Sequence, residues 1–155
     1  SIYLRIYMED LTTFSGVVSI RIYNAITNET KSEQTIKNLV VTTGKTFIAS
    51  RMSGASASVM SHIAIGSGMT AAAVGDMTLQ TELARQAMSV AGGTPSSATV
   101  TYAATFGAGV GTGTISEAGI LNNSSGGTLL ARTVFTGQVK AAGDSMDVSW
   151  TVTAN

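Results

Sequence analysis

Cysteine is absent from this chain, and proline and histidine each occur once. Without cysteine there is no disulfide framework and no thiolate metal site, so nothing in the sequence fixes a redox compartment. A single histidine, His62, excludes a multi-histidine metal site within one subunit. A ring of His62 across three copies is the one histidine arrangement left, and a strand-edge residue with a hydrogen bond is the plainer reading. Charge is scarce as well, at 12% of residues, about half the usual share for a globular domain. Nine basic and nine acidic residues cancel, which leaves no electrostatic footprint for nucleic acid. No apolar run approaches the ~18 residues of a spanning helix, and the basic-then-apolar layout of a secretory leader is missing. The expectation is a soluble chain, unprocessed for export, with no membrane and no nucleic-acid partner.

What is present is 44% hydrophobic residues in a chain of 155, enough for a single domain with a real core. With so few charges, its exterior must be Ser, Thr, Ala, Gly and Asn, or be covered by other chains. The apolar residues recur with a period of two, the mark of half-buried strands. Ile2, Leu4, Ile6 and Met8 alternate with Tyr3, Arg5 and Tyr7. Val18, Ile20 and Ile22 repeat the pattern after a turn near Phe14 to Gly16, and a third strand is expected from Glu33 to Val41. Thr43 stands where it could cap a helix over residues 44–52, with Phe47, Ile48 and Met52 on its buried side and Gly54 past its end.

His62 to Gly66 reads as a strand, and residues 69–85 as at most a short turn, since Gly75 and the threonines interrupt the alanine run. Further strands are expected at Thr99 to Phe106, Thr114 to Leu121, Thr128 to Phe135 and Met146 to Thr153. Seven or eight short strands between Gly, Ser and Asn turns predict a mainly β fold, an antiparallel β-sandwich of jelly-roll type with one short helix near 44–52.

Motifs that promise chemistry fail on spacing. Gly44, Lys45 and Thr46 follow a strand and precede a helix, but a phosphate-binding loop requires glycine where Leu39 stands. Gly107, Gly109, Gly111 and Gly113 miss the dinucleotide fingerprint at Thr112 and Thr114, and the run leads into a strand instead of a helix. There is no nucleophile elbow. Two carboxylate pairs could serve glycoside hydrolysis, Asp144 with Asp147 and Glu82 with Glu117. The first pair reads as solvated, Asp144 in a GD turn and Asp147 on a polar strand face. Glu82, Arg85, Glu117 and Arg132 differ, because they interrupt small, apolar segments where charge needs a partner. Their preferred reading is a structural ion-pair cluster, within or between subunits. Tyr3, Tyr7 and Tyr23 lie on the more polar faces of the first strands, where aromatic rings suit an interface or ordinary sheet packing equally. No catalytic residue, cofactor or metal ligand is assigned.

Taken in order, NLVVTTGKTFIASRM (38–52), MSHIAIGSGMTAAAVGDMTLQTELARQA (60–87), VTYAATFGAGVGTGTISEAGILN (100–122), GGTLLARTVF (126–135) and DVSWTVT (147–153) resemble a recurrent group of small tailed-bacteriophage structural proteins. These segments cover most of residues 38–153, the body of a single 1–155 domain, while residues 1–37 carry less of the likeness and read as N-terminal strands or an arm. The resemblance implies a non-enzymatic virion component, often a homotrimer, whose partners are its own copies and the major capsid protein or other virion proteins. A compact subunit that stops when its last strand is complete suits a capsid decoration or cement protein that bridges capsomers. A tail, baseplate or short-fibre adaptor is the main alternative, and a host-glycan module a further one.

Overall fold

A computed structural model describes residues 13–54 and 57–155. The expected strand at residues 2–8, with Tyr3 and Tyr7, lies outside them. In chain order the elements are β1 (Phe14–Asn24), β2 (Thr30–Val40), α1 (Thr42–Met52), β3 (His62–Gly66), β4 (Glu82–Ala87), β5 (Thr94–Ser96), β6 (Thr99–Phe106), β7 (Gly113–Leu121), β8 (Leu129–Lys140) and β9 (Asp144–Ala154). The fold is mainly β with one helix, and the strands form one antiparallel nine-stranded sheet in the order β4-β3-β7-β8-β2-β1-β9-β6-β5, curled into a half-barrel.

The curl has a local cause in β2. Over residues 30–38 it pairs with β1, but at Leu39 and Val40 it pairs with β8. One strand therefore belongs to two layers, and the sheet bends there. Facing the interior, β1 contributes Val18, Ile20 and Ile22, β6 contributes Tyr102, Ala104 and Phe106, and β9 contributes Met146, Val148, Trp150 and Val152. Ile63, Ile65, Ile115, Ile120 and Leu130 close the same core from the other layer. Register enforces this: Val18 sits opposite Trp150, and Trp150 opposite Tyr102. The period-two pattern read from the sequence is thus the buried face of the sheet, as burial on one side requires.

Several local expectations change. Phe14 to Gly16 is the start of β1, not a turn. Thr43 does not cap α1, which begins one residue earlier without a side-chain cap; its hydroxyl donates to the Leu129 carbonyl at 2.8 Å. That bond ties the helix to β8 instead of closing its first turn. Gly44 explains how close the two come, since a Cβ there would lie 2.0 Å from the Leu130 carbonyl oxygen. Phe47 and Ile48 pack on the core, but Met52 is 85% exposed. The region expected to hold at most a turn contains β4, and β5 was not foreseen at all. No helix among the described residues is long and apolar enough to cross a membrane.

Candidate functional site

The charged residues singled out in the sequence organise one connection, residues 67–81, which joins β3 to β4. Its ends meet, with the Ser67 amide donating to the Thr81 carbonyl at 3.0 Å, so the segment is a closed surface loop of the Ω kind. It lies over β7 and β8 on the side away from the main core. There Leu79 joins Val41, Ala64, Leu121 and Leu129 in a second apolar cluster.

Glu117 is the loop's anchor. Gly119 faces Arg132 across the β7–β8 pair, which sets Glu117 and Arg132 as diagonal neighbours on one face. Glu117 is fully buried. Its Oε1 accepts the amides of Gly68 at 3.0 Å and Thr81 at 2.6 Å. Its Oε2 accepts the Gln80 amide at 2.9 Å and the Arg132 guanidinium at 3.0 and 2.9 Å. Arg132 also reaches out to the loop, bonding Asp76 at 2.9 Å and the Thr70 carbonyl at 3.0 Å.

A carboxylate taken out of water needs this degree of compensation, because its attraction to one cation rarely repays the desolvation. Burial by itself would raise the Glu117 pKa; the amides of Thr81 and Gln80, then Arg132 and the Gly68 amide, outweigh it and hold the group below its ordinary range. Asp76 behaves alike, raised by burial but lowered further by the Ala73 amide and Arg132. A carboxylate so saturated has no lone pair left to take a proton from a substrate. Its chemistry is that of a staple.

Glu82 and Arg85 form a second, separate pair. Arg85 binds both Glu82 oxygens, at 3.1 and 2.7 Å, and donates to the carbonyls of Asn123 and Gly126 at 2.8 Å each. It fastens β4 to the β7–β8 turn. The four residues are therefore two pairs, not one cluster, and both lie within the chain. Tyr23 is half-buried; its hydroxyl donates to Asp147 at 3.2 Å and the Arg21 guanidinium lies 4.3 Å from its ring centre. His62 is half-buried on β3, its Nδ1 2.8 Å from the Ser61 hydroxyl. Among the described residues no three His, Cys, Asp or Glu side chains converge as a metal site.

The solvated reading of Asp144 is wrong. The residue is 1% exposed, because Lys31 on β2 reaches across to within 2.7 Å of its Oδ1 while Oδ2 accepts the Ala141 amide at 2.9 Å. The contact with Lys31, first, and the Ala141 amide lower its pKa despite burial. Asp147 points to the other face, so the two do not converge. Beside Asp144 the buried Lys140 gives its ammonium to the carbonyls of Gly107 and Asp144, at 2.9 and 2.7 Å, and desolvation lowers its pKa. The Lys31 contact could not be read from spacing, since Lys31 is distant from Asp144 in sequence.

Sequence reasoning also missed a groove of about 450 Å³ at one end of the half-barrel. Phe47, Ile48 and Met52 of α1 form one wall, Val100 and Tyr102 of β6 the other, with Val152 of β9 between. The one available signal was Met52, an apolar side chain assigned to the core that stands at the rim. No family model, curated protein or solved structure matches the chain.

Proposed function

We propose that this protein is a non-enzymatic structural subunit of a tailed-bacteriophage particle, and specifically a capsid decoration or cement protein that bridges capsomers. The reading comes from the resemblance of the ordered segments over residues 38–153. The observation that carries it furthest is the manner in which the chain exposes large apolar side chains. Ile26 is 94% exposed at the β1–β2 turn, yet that turn is braced by Asn24, whose side chain accepts the amides of Ile26 and Thr27 at 2.9 Å each. Met69 and Met77 stand out from the 67–81 loop, which Glu117 and Arg132 pin beneath them. Apolar side chains held out on braced loops lose little freedom on contact, which favours docking to other protein surfaces. Many copies bound weakly in this way would stabilise a shell together.

Protein stoichiometry in purified virions tests the proposal. A cement protein is present in numbers that scale with the capsid lattice and leaves the particle with its heads. Copy numbers that scale with the tail would move the assignment to a tail or baseplate adaptor. Absence from particles, with retention of glycan by the isolated protein, would overturn the structural reading altogether.

A further inference from the structure

The groove at the end of the half-barrel contains a phenol that the fold leaves without a protein partner, and we infer that it binds a small amphiphilic acid, an apolar body carrying one carboxylate. Its capacity, about 450 Å³, is within the ~300–1,000 Å³ of small-molecule sites, which pair an apolar wall with a few placed polar groups. Phe47 and Ile48 of α1, Val100 of β6 and Val152 of β9 supply that wall. Hydrocarbon laid against it is taken out of water, which is the main source of affinity for such a body.

Tyr102 separates this groove from an ordinary apolar patch. The residue lines it from β6 and is 7% exposed, yet its hydroxyl makes no hydrogen bond with any described residue. Tyr23, in contrast, donates to Asp147. Burial alone acts on the Tyr102 pKa, raising it, with no contribution from a hydrogen-bonding neighbour. The phenol is therefore a protonated donor at neutral pH, and what it lacks is an acceptor. Polar groups withdrawn from water without a partner are costly, so a ligand oxygen placed against this one gains what the fold withholds.

The charge at the rim narrows the kind of oxygen. Arg51, in the last turn of α1, is the charged residue among those described around the groove. One of its nitrogens donates to the Ala57 carbonyl at 2.9 Å, which steadies the guanidinium, and no salt bridge among the described residues takes up its charge. It attracts an anion across the groove without needing contact. A carboxylate answers both groups, since it accepts from a phenol and balances a guanidinium. An alcohol answers Tyr102 alone, and an ammonium answers neither.

The inference does not rest on the virion reading, and its test uses the isolated full chain. Decanoate, decanol and decylammonium share one hydrocarbon chain and differ in the head group. Each is titrated below its micelle concentration by calorimetry, with methyl NMR locating the contact. Decanoate is expected to bind about tenfold or more tighter than decylammonium, with decanol between them. Shifts should fall on Ile48, Val100 and Val152, and not on Val139, which is exposed at the far end of β8 from Leu130. Arg51→Gln should reduce the preference to about twofold or less while Arg51→Lys keeps it. Tyr102→Phe should weaken decanoate about threefold to tenfold and leave the thermal midpoint unchanged or higher, because the lost hydroxyl had no protein partner. Absence of saturable binding, equal affinity for the three head groups, or shifts that bypass the groove methyls would each overturn the inference. So would a Tyr102→Phe protein that melts lower yet binds decanoate as the wild type does.

Discussion

The two faces of the β7–β8 layer are stabilised by different physics. Inward, the layer packs against β1, β6 and β9 through a continuous cluster of apolar side chains, in which the Trp150 indole nitrogen has no partner among the described residues. Outward, it carries the 67–81 loop on a buried carboxylate, a buried guanidinium and a small apolar cluster. The inner face gains from area removed from water, a contribution that carries no carboxylate to protonate in acid. The outer face depends on each of several donors finding one acceptor, and fails when any is withdrawn. The lesson is that a chain with few charges has placed two of them where their loss would free a whole loop.

Removing the acceptor is expected to do most. Glu117→Ala leaves Arg132 buried beside unsatisfied amides and should cost about 3–5 kcal/mol in urea unfolding at neutral pH. Trp150→Ala should cost a similar ~3–5 kcal/mol through the cavity it opens; a loss well under ~1 kcal/mol would place that ring outside the core. Acid separates the two. The Glu117 pKa is depressed below 4.5 in the folded protein, so its stabilisation is complete above that ordinary value and declines as pH falls through the depressed one. The gap between wild type and Glu117→Gln should therefore narrow in acid, while the gap to Trp150→Ala stays constant over the same range. Parallel pH profiles would show that Glu117 is not held as described.

Smaller effects are expected at the loop's partly exposed contacts. Asp76→Asn should cost about 1 kcal/mol or less, because solvent screens that end of the network, and should speed amide exchange within residues 67–81. Arg85→Gln removes the tie from β4 to the carbonyls of Asn123 and Gly126; protease nicking confined to residues 122–128 is its expected signature, and uniform sensitivity along the chain would speak against a local role.

The inner face was legible because alternation is a local signal. Val100, Tyr102, Ala104 and Phe106 mark β6 at its observed bounds, Thr99–Phe106, and Met146 to Val152 mark β9. β4 was not legible, since Glu82, Arg85 and the small residues around them write no alternation; its pairing with β3 decides its state. β5 has three residues, one of them Pro95. The need of Glu117 and Arg132 for partners could be argued from their apolar surroundings, but the loop amides that hold Glu117 could not, because a backbone donor has no residue type. Asp144 was misjudged for the same reason in reverse: a turn residue looks solvated until a distant lysine covers it.

Amide hydrogen exchange at Gly68, Gln80 and Thr81, compared between wild type and Glu117→Gln at neutral pH, tests the central claim most directly. Strong protection in the wild type, lost at these three amides in the variant while those around Trp150 keep theirs, is the result this account predicts. Free exchange at all three in the wild-type protein would contradict it, since Glu117 would then hold no loop.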